Sequence, residues 1–417
     1  MKKYNYKFLE NNNSKDIDLF TPEKEKENIQ LGLSNMNQAL IKLKNPCKDI
    51  PAIQIVGTNG KGSITAFLEK ILCSSNINIG VTTSPHILDV NERIRVNGNK
   101  IEKNEFTKIL DEIQDKVKGI KLSPFELIIC CSLKYFEIKK VNFLILEAGL
   151  GGRLDATTAH KLRPIIALGK IGVDHKEYLG QTIEEITREK VAVIHKDSLV
   201  VSCDQDRNVK EIINERVINK GAKMFWVEKL SEKWELGLKG DFQKQNAAVA
   251  IEVIKILNRL GISISNKIIR SALKDTKWPG RLDLYNWKNK RILIDCAHNP
   301  SAANALAKER ENWIYEEKGI YWIIGMQQQK DIYNFIKEIF KEKDKILLVP
   351  IQGHQSWSLK EILKISSNKL TCDHIIEFND LDKAFQYLDK LDNWPLCHPV
   401  LTGSIFIIAE FLKNINN

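Results

Sequence analysis

The 417-residue sequence predicts an α/β protein, in which a doubly wound, mostly parallel sheet is followed by a smaller, Rossmann-like α/β domain. Two observations predict this fold class. Short β-branched runs alternate with helical patterns from Ala52 onward, which is typical of parallel strands joined by crossover helices. A second alternation of the same kind begins at Arg291. We therefore expect an N-terminal domain at 1–288 and a C-terminal domain at 289–417.

Each series resolves into individual elements. In the first, strands are expected at 52–57, 79–84, 142–147 and 164–169, and helices at 62–75, 104–118, 125–138, 182–195 and 241–260. Trp278-Pro279-Gly280-Arg281 ends this series, and a hinge is expected near residues 286–291. In the second series, the expected order is strand 291–295, helix 300–313, strand 319–325, helix 331–341, strand 345–349, and a closing strand and helix around 399–414. Ligands of open α/β sheets bind beyond the carboxyl ends of the strands, so candidate site residues are sought there.

Composition excludes several classes of function. No apolar run approaches the roughly 18 to 20 residues of a membrane-spanning helix, and the polar N-terminus lacks the apolar core of a signal peptide. We therefore expect a cytoplasmic protein with eight reduced cysteines, whose residues 1–27 are partly loose. The formal net charge of +10 comes from scattered lysines without interleaved aromatics. This distribution favours small polyanionic substrates over nucleic acid.

The most informative local feature is the glycine-rich turn Gly57-Thr58-Asn59-Gly60-Lys61-Gly62-Ser63, between a predicted strand and a predicted helix. Glycines let backbone N–H groups crowd an anion, and the helix N-terminus adds partial positive charge. A lysine with a neighbouring hydroxyl suits the terminal phosphates of a nucleotide and their Mg²⁺. The turn departs from the standard P-loop, because Gly62 separates Lys61 from Ser63. It predicts a phosphate site in a P-loop-containing domain, with a turn that binds no ligand as the alternative.

Candidate metal ligands follow the next two strands. Ser84 offers a hydroxyl across from the P-loop, where it could bind Mg²⁺ or order a loop, although Ser-Pro is also a common plain turn. Glu147 ends an apolar strand and begins the glycine-rich segment Glu147–Thr157. A carboxylate at that point supplies the hard oxygen ligand that nucleotide-bound Mg²⁺ prefers.

Two further candidates in the first domain are weak by themselves. His175 follows the strand expected at 164–169, where a capping or structural histidine would be ordinary. Lys190 lies in a helical pattern, where a surface charge would be ordinary. Their context, rather than their local sequence, makes them candidates.

The second domain offers Asp295 and His298 directly after its first strand, and Arg281 precedes the hinge. Domain closure would bring this carboxylate, imidazole and guanidinium onto the phosphates and would exclude water. The alternative is that Asp295 and Asn299-Pro300 form a strand end running into an ordinary helix cap.

Taken together, these motifs resemble the folylpolyglutamate synthase/dihydrofolate synthase family, which is related to the Mur ligases. The resemblance runs in family order from about residue 29 to the C-terminus. Its blocks are Gly57–Ser63, Thr83–His86, Glu92-Arg93-Ile94, Glu147–Thr157, Asp174-His175, Glu189-Lys190, Gln243–Asn246, Trp278–Arg281, Asp295–Pro300 and Thr402-Gly403-Ser404.

The resemblance implies ATP-dependent ligation of L-glutamate to a pteroate or folate carboxylate through an acyl phosphate. It implies that Lys61 and the 57–63 backbone hold the β- and γ-phosphates, and that Asn246 and Arg281 contact the adenine side and the phosphates. Two Mg²⁺ ions are implied, one bound by Ser84 and Glu147 and the other by His175. Lys190 matches a lysine that is often carbamylated in this family. Asp295 and His298 would complete the site from the second domain.

Two positions depart from the family pattern. Phe242 replaces a histidine in Gly240-Asp241-Phe242-Gln243, which weakens the nucleotide contact implied around Gln243. Cys296 replaces a common glycine, which reduces backbone freedom.

The substrate choice is less defined by sequence. A pteridine pocket is expected between the 83–94 loop, including Arg93, and Ser123-Pro124-Phe125-Glu126, where Phe125 could stack on the ring or simply pack at a helix start. We expect a bifunctional monomer that binds only small molecules; dependence on K⁺ stays open. Another Mur-type amino-acid ligase would require an additional N-terminal domain. A regulatory P-loop ATPase would not need Glu147, His175, Lys190 and Arg281 together.

Overall fold

The computed structural model describes Phe20, residues 32–365 and residues 373–416. The expectation of a loose segment at 1–27, apart from Phe20, and the expectation for Cys372 lie outside these residues. Phe20 is buried and packs against Phe106, with 5.6 Å between the ring centroids. The described cysteines are unpaired thiols, as expected.

The first sheet has eight strands, six of which run parallel. They are β1 Ala52–Val56, β2 Ile79–Thr82, β3 Ile94–Val96, β4 Asn99–Lys100, β5 Phe143–Glu147, β6 Ile165–Leu168, β7 Leu199–Ser202 and β8 Lys223–Trp226. Their spatial order is β4-β3-β2-β5-β1-β6-β7-β8, with β3 and β4 forming an antiparallel edge. The central strand β1 therefore lies between β5 and β6, and the ends of these three strands meet at one edge of the sheet.

The second sheet has six strands, parallel except for β9. They are β9 Asp283–Trp287, β10 Lys290–Ile294, β11 Tyr321–Ile324, β12 Lys345–Leu348, β13 Ile375–Glu377 and β14 Val400–Thr402. Their order is β13-β12-β11-β14-β10-β9. Both sheets confirm the predicted α/β class and its mostly parallel pairing.

The helices connect these strands. They are α1 Ser34–Lys42, α2 Lys61–Ser74, α3 Lys103–Lys116, α4 Pro124–Ile138, α5 Lys176–Leu179, α6 Ile183–Val191, α7 Arg207–Lys220, α8 Phe242–Arg259, α9 Asn266–Asp275, α10 Pro300–Arg310, α11 Ile332–Ile339, α12 Leu359–Ile365, α13 Leu381–Asp389 and α14 Ile405–Asn416. Short 3₁₀ turns occur at Val90–Arg93, Ala156–Ala159 and Glu316–Lys318. Within the described residues, no helix has the length and apolar character that crossing a membrane requires.

Alternating side chains of the first sheet face opposite layers of helices. Leu144 and Leu146 of β5 join the core beneath α4, whereas Ile145, one residue between them, joins the core beneath α2 and α8. This division follows from the period-2 geometry of a strand, and it accounts for the continuous apolar runs of strands that are buried on both faces. Glu147 ends the same strand in phase with Ile145, so its carboxylate points to the α2 side.

The strands and helices predicted from sequence are confirmed in type, with ends shifted by a few residues. The helix expected at 182–195 is shorter, because Val191 ends α6. Strands β3, β4, β7, β8, β9 and β13 were not predicted, nor were helices α1, α5, α7, α9, α12 and α13. The edge strand β4 shows one reason: its two residues, Asn99 and Lys100, are polar and exposed, so no apolar run marks the strand.

The expected hinge near 286–291 falls inside the second sheet instead of between two units. Strands β9 and β10 form an antiparallel hairpin in which Trp287 pairs with Lys290. Lys288 and Asn289 form the two-residue turn, with φ of +47° and +64°, as a hairpin turn of the primed type requires. A boundary at 288/289 would therefore cut this hairpin. We propose that the connection between the units runs ahead of β9, through residues 277–282.

Candidate active site

The glycine-rich turn joins the end of β1 to the start of α2, as predicted, and it is anchored on the segment after β6. The backbone amides of Thr58 and Asn59 both donate to the carbonyl of Lys170 at 3.0 Å. Thr58 Oγ1 donates to the carbonyl of Gly172 at 2.8 Å and accepts from its amide at 3.0 Å. The loop is thus held open at a defined shape by backbone contacts.

Gly60 is the position in this turn that most requires glycine. Its φ of +86° lies in the left-handed region, and a Cβ there would collide with the side-chain amide of Asn246. Asn246 lies on α8 and donates to Gln243 Oε1 at 2.9 Å. Asn246 therefore packs directly on the P-loop. The side-chain oxygen of Gln243 instead accepts the hydrogen bond from Asn246.

Two lysines converge on the loop. Lys61 Nζ donates to the carbonyl oxygens of Gly57 and Thr58 at 3.1 and 3.2 Å, and Lys190 Nζ donates to the same Gly57 oxygen at 3.2 Å. Burial lowers the pKa of Lys61, and burial followed by the charge of Lys61 lowers the pKa of Lys190 to about 7. Asp174 and Asp155 oppose this lowering for both lysines only in part, so two lysines that share one neutral acceptor form a site suited to an anion.

Glu147 lies at the carboxyl end of β5, beside the P-loop strand. Its side chain is buried, and within the described residues it accepts a hydrogen bond from Thr65 Oγ1 on α2 at 3.4 Å. Burial raises its pKa to about 7, against the opposing charges of Lys61, Arg281 and Arg95. A buried carboxylate with one long hydrogen bond has free lone pairs for a cation.

The glycine-rich segment after Glu147 is shaped by Asp155. The Asp155 carboxylate accepts from the amides of Gly149 and Leu150 at 2.8 and 2.9 Å and from the amide of Thr157 at 3.0 Å. A Cβ on Gly149 would lie 2.8 Å from the ring of Phe125, at the start of α4. Phe125 therefore packs on this loop at Gly149, two residues after Glu147. Pro124 lies in the first turn of α4, and Ser123 and Glu126 form its capping box, as the helix-start alternative proposed.

The 83–94 loop is a second wall of the site. Glu92 accepts from the amides of Ile87, Leu88 and Asp89 at 2.8 to 3.1 Å, which fixes the loop around its carboxylate. Arg93 is buried and donates from Nε to His86 Nδ1 at 2.9 Å. Ser84 is half-buried, two residues beyond the end of β2. Its position at the carboxyl edge of the sheet agrees with the one predicted.

Arg95, which was not singled out from sequence, supports the same region together with Trp278, the first residue of the Trp278–Arg281 block. The Arg95 guanidinium pairs with Glu69 at 2.7 Å, donates to Thr83 Oγ1 at 2.9 Å, and lies 5.0 Å from the centroid of the Trp278 ring. The indole Nε1 of Trp278 lies 2.8 Å from where a Cβ of Gly62 would be. A pairing between strand and helix of this kind leaves no signal in a local motif.

Asp174, which follows β6, gathers donors from the second unit. Lys330 Nζ lies 2.6 Å from its Oδ1, and Asn299 Nδ2 and His298 Nε2 lie 3.1 and 3.3 Å from its Oδ2. Burial alone would raise the pKa of Asp174, but the hydrogen bond from His298 and the charge of Lys330 hold it well below the usual range. His175 begins α5 with a left-handed φ of +53°, and burial and the charge of Lys330 lower its pKa.

Residues after β10 meet the P-loop. Asn299 exchanges two amide hydrogen bonds with Asn59, at 3.1 and 3.3 Å, and its Oδ1 also caps α10 by accepting from Ala302 N at 2.9 Å. His298 Nδ1 lies 2.8 Å from the carbonyl of Cys296. The helix-cap alternative for Asn299 is therefore correct, and the same side chain also reaches the first unit.

Asp295 and Arg281 lie at the junction of the two units. Both Asp295 oxygens accept backbone amides, from Ala297 at 2.8 Å and from Leu282 at 3.0 Å, which agrees with the strand-end alternative. Arg281 Nη1 donates to the Gly280 carbonyl at 2.9 Å. The Cys296 thiol occupies the space into which a Cβ of Gly280 would project. Because residue 280 is a glycine, the chain has room for a cysteine at position 296, where the family commonly has glycine.

The arrangement brings Lys61, Lys190, Glu147, Asn246 and the Asp174 cluster to the edge where β1, β5 and β6 end. Lys330, the residue that sequence reasoning missed, follows β11. Asp295 was selected because it follows a strand of the second sheet. A search of the residues after β11 on the same basis would have included Lys330. In the parts of the chain that the structure describes, three or more His, Cys, Asp or Glu side chains are nowhere grouped to hold a metal ion by themselves.

Known proteins share this architecture and sequence. A family model described as the dihydrofolate synthetase C-terminal domain matches residues 281–414. A probable dihydrofolate synthetase of Schizosaccharomyces pombe is 32% identical over 410 residues, covering 92% of this chain and 98% of the relative. A dihydrofolate synthase/folylpolyglutamate synthase of Bacillus subtilis is 29% identical over 424 residues, covering 93% and 95%.

A solved structure of the bifunctional folylpolyglutamate synthase/dihydrofolate synthase of Yersinia pestis, complexed with AMPPNP and a Mn ion, superposes with a TM-score of 0.81 at 25% identity and covers 93% of this chain and 94% of that one. Another structure of such a bifunctional enzyme, at the same identity, has Mn, AMPPNP and L-glutamate bound. Sequence similarity over nearly the full length and the shared fold lead to one conclusion: the chain belongs to the dihydrofolate synthase/folylpolyglutamate synthase family.

Proposed function

We propose that this chain uses ATP to join the amino group of L-glutamate to the carboxylate of dihydropteroate, and to that of tetrahydrofolate and its polyglutamates. The observation that carries the proposal is the convergence of Lys61 and Lys190 on the Gly57 carbonyl beside the buried Glu147. This arrangement offers cationic donors for phosphate next to a carboxylate that can take a cation, which is what phosphoryl transfer requires.

The nucleotide would lie along the P-loop, with its phosphates on the backbone amides from Gly57 to Ser63. In this proposal Lys61 exchanges its two carbonyl acceptors for the β- and γ-phosphate oxygens, which are stronger acceptors because they are charged. Asn246, in contact with Gly60, lies on the adenine side, and Arg281 adds a guanidinium from the junction. Asp295 contributes by holding the Leu282 and Ala297 amides that shape this junction.

Glu147, Ser84 and His175 fit a divalent cation, which we take to be Mg²⁺. The carboxylate of Glu147 has unused lone pairs, and the lowered pKa of His175 keeps its imidazole neutral at pH 7. The lack of a three-residue protein cluster among the described residues suits Mg²⁺, which is usually held by one or two side chains together with substrate phosphates and water. Such an ion supplies neutralisation of the charge that develops on the transferred phosphoryl group. Two ions, as the resemblance implies, remain part of this proposal.

The reaction would take place in two steps. A carboxylate oxygen of the pterin substrate attacks the γ-phosphorus of ATP, and ADP leaves, which gives an acyl phosphate. The glutamate nitrogen then attacks the acyl carbon, forms the C–N bond and expels inorganic phosphate. Lys61 would stabilise the charge on the transferred group, and the closed second unit, with His298 on Asp174, would exclude water from the acyl phosphate.

Lys190 has the properties that carbamylation requires. Its pKa of about 7 leaves a substantial fraction of neutral amine near neutral pH, and only the neutral amine adds CO₂. The resulting carbamate would exchange a cation for an anionic oxygen ligand beside the P-loop. We propose this modification in the presence of substrates, whereas the unmodified ammonium binds the Gly57 carbonyl here.

The pterin would bind between the 83–94 loop and the start of α4. Phe125 packs on Gly149, at the loop that follows Glu147, so a ring near Phe125 would present its carboxylate toward the phosphate site. Arg93 supports that wall through His86. We propose a monomer that carries out both half-reactions.

The test is phosphate release by the purified protein with ATP, Mg²⁺ and L-glutamate, in the presence of dihydropteroate, of tetrahydrofolate, or of neither. We expect stimulation by both pterins and little release without them. Release with one pterin alone would assign the protein to that half-reaction. Equal release in all three conditions would refute the ligase proposal.

A further inference from the structure

Asp174 and Lys330 form an ion pair that joins the two units of the molecule. Asp174 lies after β6 of the first sheet, and Lys330 lies after β11 of the second. Their side-chain atoms are 2.6 Å apart, with 6% of the Asp174 side chain and 14% of the Lys330 side chain exposed. The pair is therefore nearly buried, and it lies between the units instead of within the core of either one.

The same carboxylate holds two further groups of the second unit. Asn299 Nδ2 and His298 Nε2 contact Asp174 Oδ2 at 3.1 and 3.3 Å. Both residues follow β10, so the loops after two different strands of the second sheet converge on one oxygen pair. Charge-assisted hydrogen bonds of this kind are about twice as strong as neutral ones.

Asn299 extends this contact to the P-loop. It exchanges hydrogen bonds with Asn59 in both directions, and its own orientation is set by the cap that it provides to α10. A rigid chain of contacts thus runs from Lys330 through Asp174 and Asn299 to Asn59. We call these four residues the latch.

Lys330 is held in place before it meets Asp174. Its amide donates to the Gln327 carbonyl at 3.0 Å, and its own carbonyl accepts from the Trp357 indole at 3.0 Å. The side chain therefore projects from a fixed turn, so ion-pair formation restricts the rotamers of the side chain without having to order the backbone as well. Because the turn that carries Lys330 is hydrogen-bonded to the rest of the second unit, the ion pair with Asp174 holds that unit against the first one.

The latch residue Asp174 also affects the pKa values of the two lysines at the P-loop. Asp174 lies close enough to Lys61 and Lys190 to oppose the lowering of both their pKa values. Without Lys330, a nearly buried carboxylate would lose its closest cation, and a buried charge deprived of its partner is strongly unfavourable. The units would then separate so that water could reach Asp174.

We propose that Lys330 is a positioning residue for ligation: its ion pair with Asp174 closes the second unit over the P-loop and brings Asn299 and His298 to the nucleotide. The inference rests on the proposed function, since closure matters here through the acyl phosphate that it protects. Lys330 acts through Asp174 and is not assigned a contact with substrate.

The experiment compares Lys330→Met, Lys330→Arg and Asp174→Asn, with Lys337→Met as a matched control on the exposed face of α11. Steady-state phosphate release gives kcat and the KM for ATP and for glutamate, with amide product measured in the same samples. We expect Lys330→Met to lower kcat/KM for glutamate by about tenfold to a hundredfold, as misplacement of a reacting group does. The KM of Lys330→Met for ATP should change less than its kcat/KM for glutamate, because the contacts that Thr58 and Lys61 make within the first unit do not involve Lys330.

Four results would support the latch. Lys330→Arg should recover most of the loss, the Lys330→Met/Asp174→Asn double variant should be no worse than the poorer single variant, and a larger share of the acyl phosphate should be lost to water. Small-angle scattering with AMPPNP and Mg²⁺ should give a larger radius of gyration for Lys330→Met than for the wild type or Lys337→Met. If Lys330→Met fails to fold, Lys330→Gln takes its place.

Unchanged kcat/KM for glutamate together with wild-type scattering in a folded Lys330 variant would overturn the inference, as would additive losses in the double variant. Failure of the proposed function looks different, because wild-type protein would then show no pterin-stimulated phosphate release. The two failures are therefore distinguishable in the same set of assays.

Discussion

Lys61 and Lys190 share one acceptor, the carbonyl oxygen of Gly57, at 3.1 and 3.2 Å. Lys61 begins α2 and Lys190 lies near the end of α6, so elements distant in sequence aim two cations at one peptide group. A single neutral carbonyl is a weak partner for two ammonium groups. The shared contact is the reason to expect an anionic ligand at this loop, and several predictions depend on it.

Replacing Lys61 with Ala should abolish ligation. We expect pterin-stimulated phosphate release to fall about a hundredfold to a thousandfold, the loss typical when a charged donor to a transition state is removed. Lys196→Ala, at an exposed lysine beyond α6, is the control and should retain wild-type rates. Full activity in a folded Lys61→Ala protein would remove the lysine from the phosphate site.

Gly60→Ala tests the shape of the P-loop. The new Cβ would meet Asn246 and would be strained at a φ of +86°, so we expect ATP affinity to fall at least about tenfold in a titration with AMPPNP. Gly119→Ala is a matched control, because Gly119 has a φ of +89° with nothing within 4 Å of its Cβ position. The control should lose about 1 kcal/mol of stability and no affinity. Equal affinity in the two variants would contradict the packing of Asn246 on Gly60.

Glu147 should make stability of the ligand-free protein depend on pH. Burial raises its pKa from 4.5 to about 7, so between these values the folded state binds the proton more tightly than the unfolded state. Its contribution to stability is therefore present at low pH and is lost as the pH rises toward and through about 7. The melting temperature of Glu147→Gln, relative to wild type, should rise between pH 5 and pH 8.

A constant difference in melting temperature across this range would show that Glu147 does not titrate as proposed. The same variant should lack pterin-stimulated phosphate release at every pH, because an amide cannot replace the anionic oxygen that a divalent cation needs.

His175 is best tested with asparagine. Its φ of +53° is a conformation that Asn tolerates, so His175→Asn removes the imidazole with little backbone strain. We expect turnover to fall about tenfold or more while the affinity for AMPPNP changes less, measured by single-turnover kinetics and titration. Unchanged turnover would exclude His175 from the metal site.

Much of the fold could be predicted because it is written in local patterns. The runs at β1 and β5 are apolar except for Gln54 and the final Glu147, because both faces are buried, and the turn between β1 and α2 carries its glycines where the backbone needs them. The edge strand β4 escaped prediction because its two residues, Asn99 and Lys100, are polar and exposed and so lack that pattern. The hairpin of β9 and β10 was taken for a hinge, because its turn residues Lys288 and Asn289 are not the glycines that usually mark such a turn.

By itself, the sequence determined the alternation of strands and helices, the central strands β1, β2, β5 and β6, and the glycine-rich turn after β1, since each depends on neighbours a few positions away. Tertiary structure alone decided which distant residues meet. Asp174 and Lys330 are separated by 156 positions and Asn59 and Asn299 by 240, and nothing in the local sequence of one partner indicates the other. Such pairs arise because two sheets present the carboxyl ends of their strands to each other. That arrangement depends on the packing of the whole chain, which no local pattern encodes.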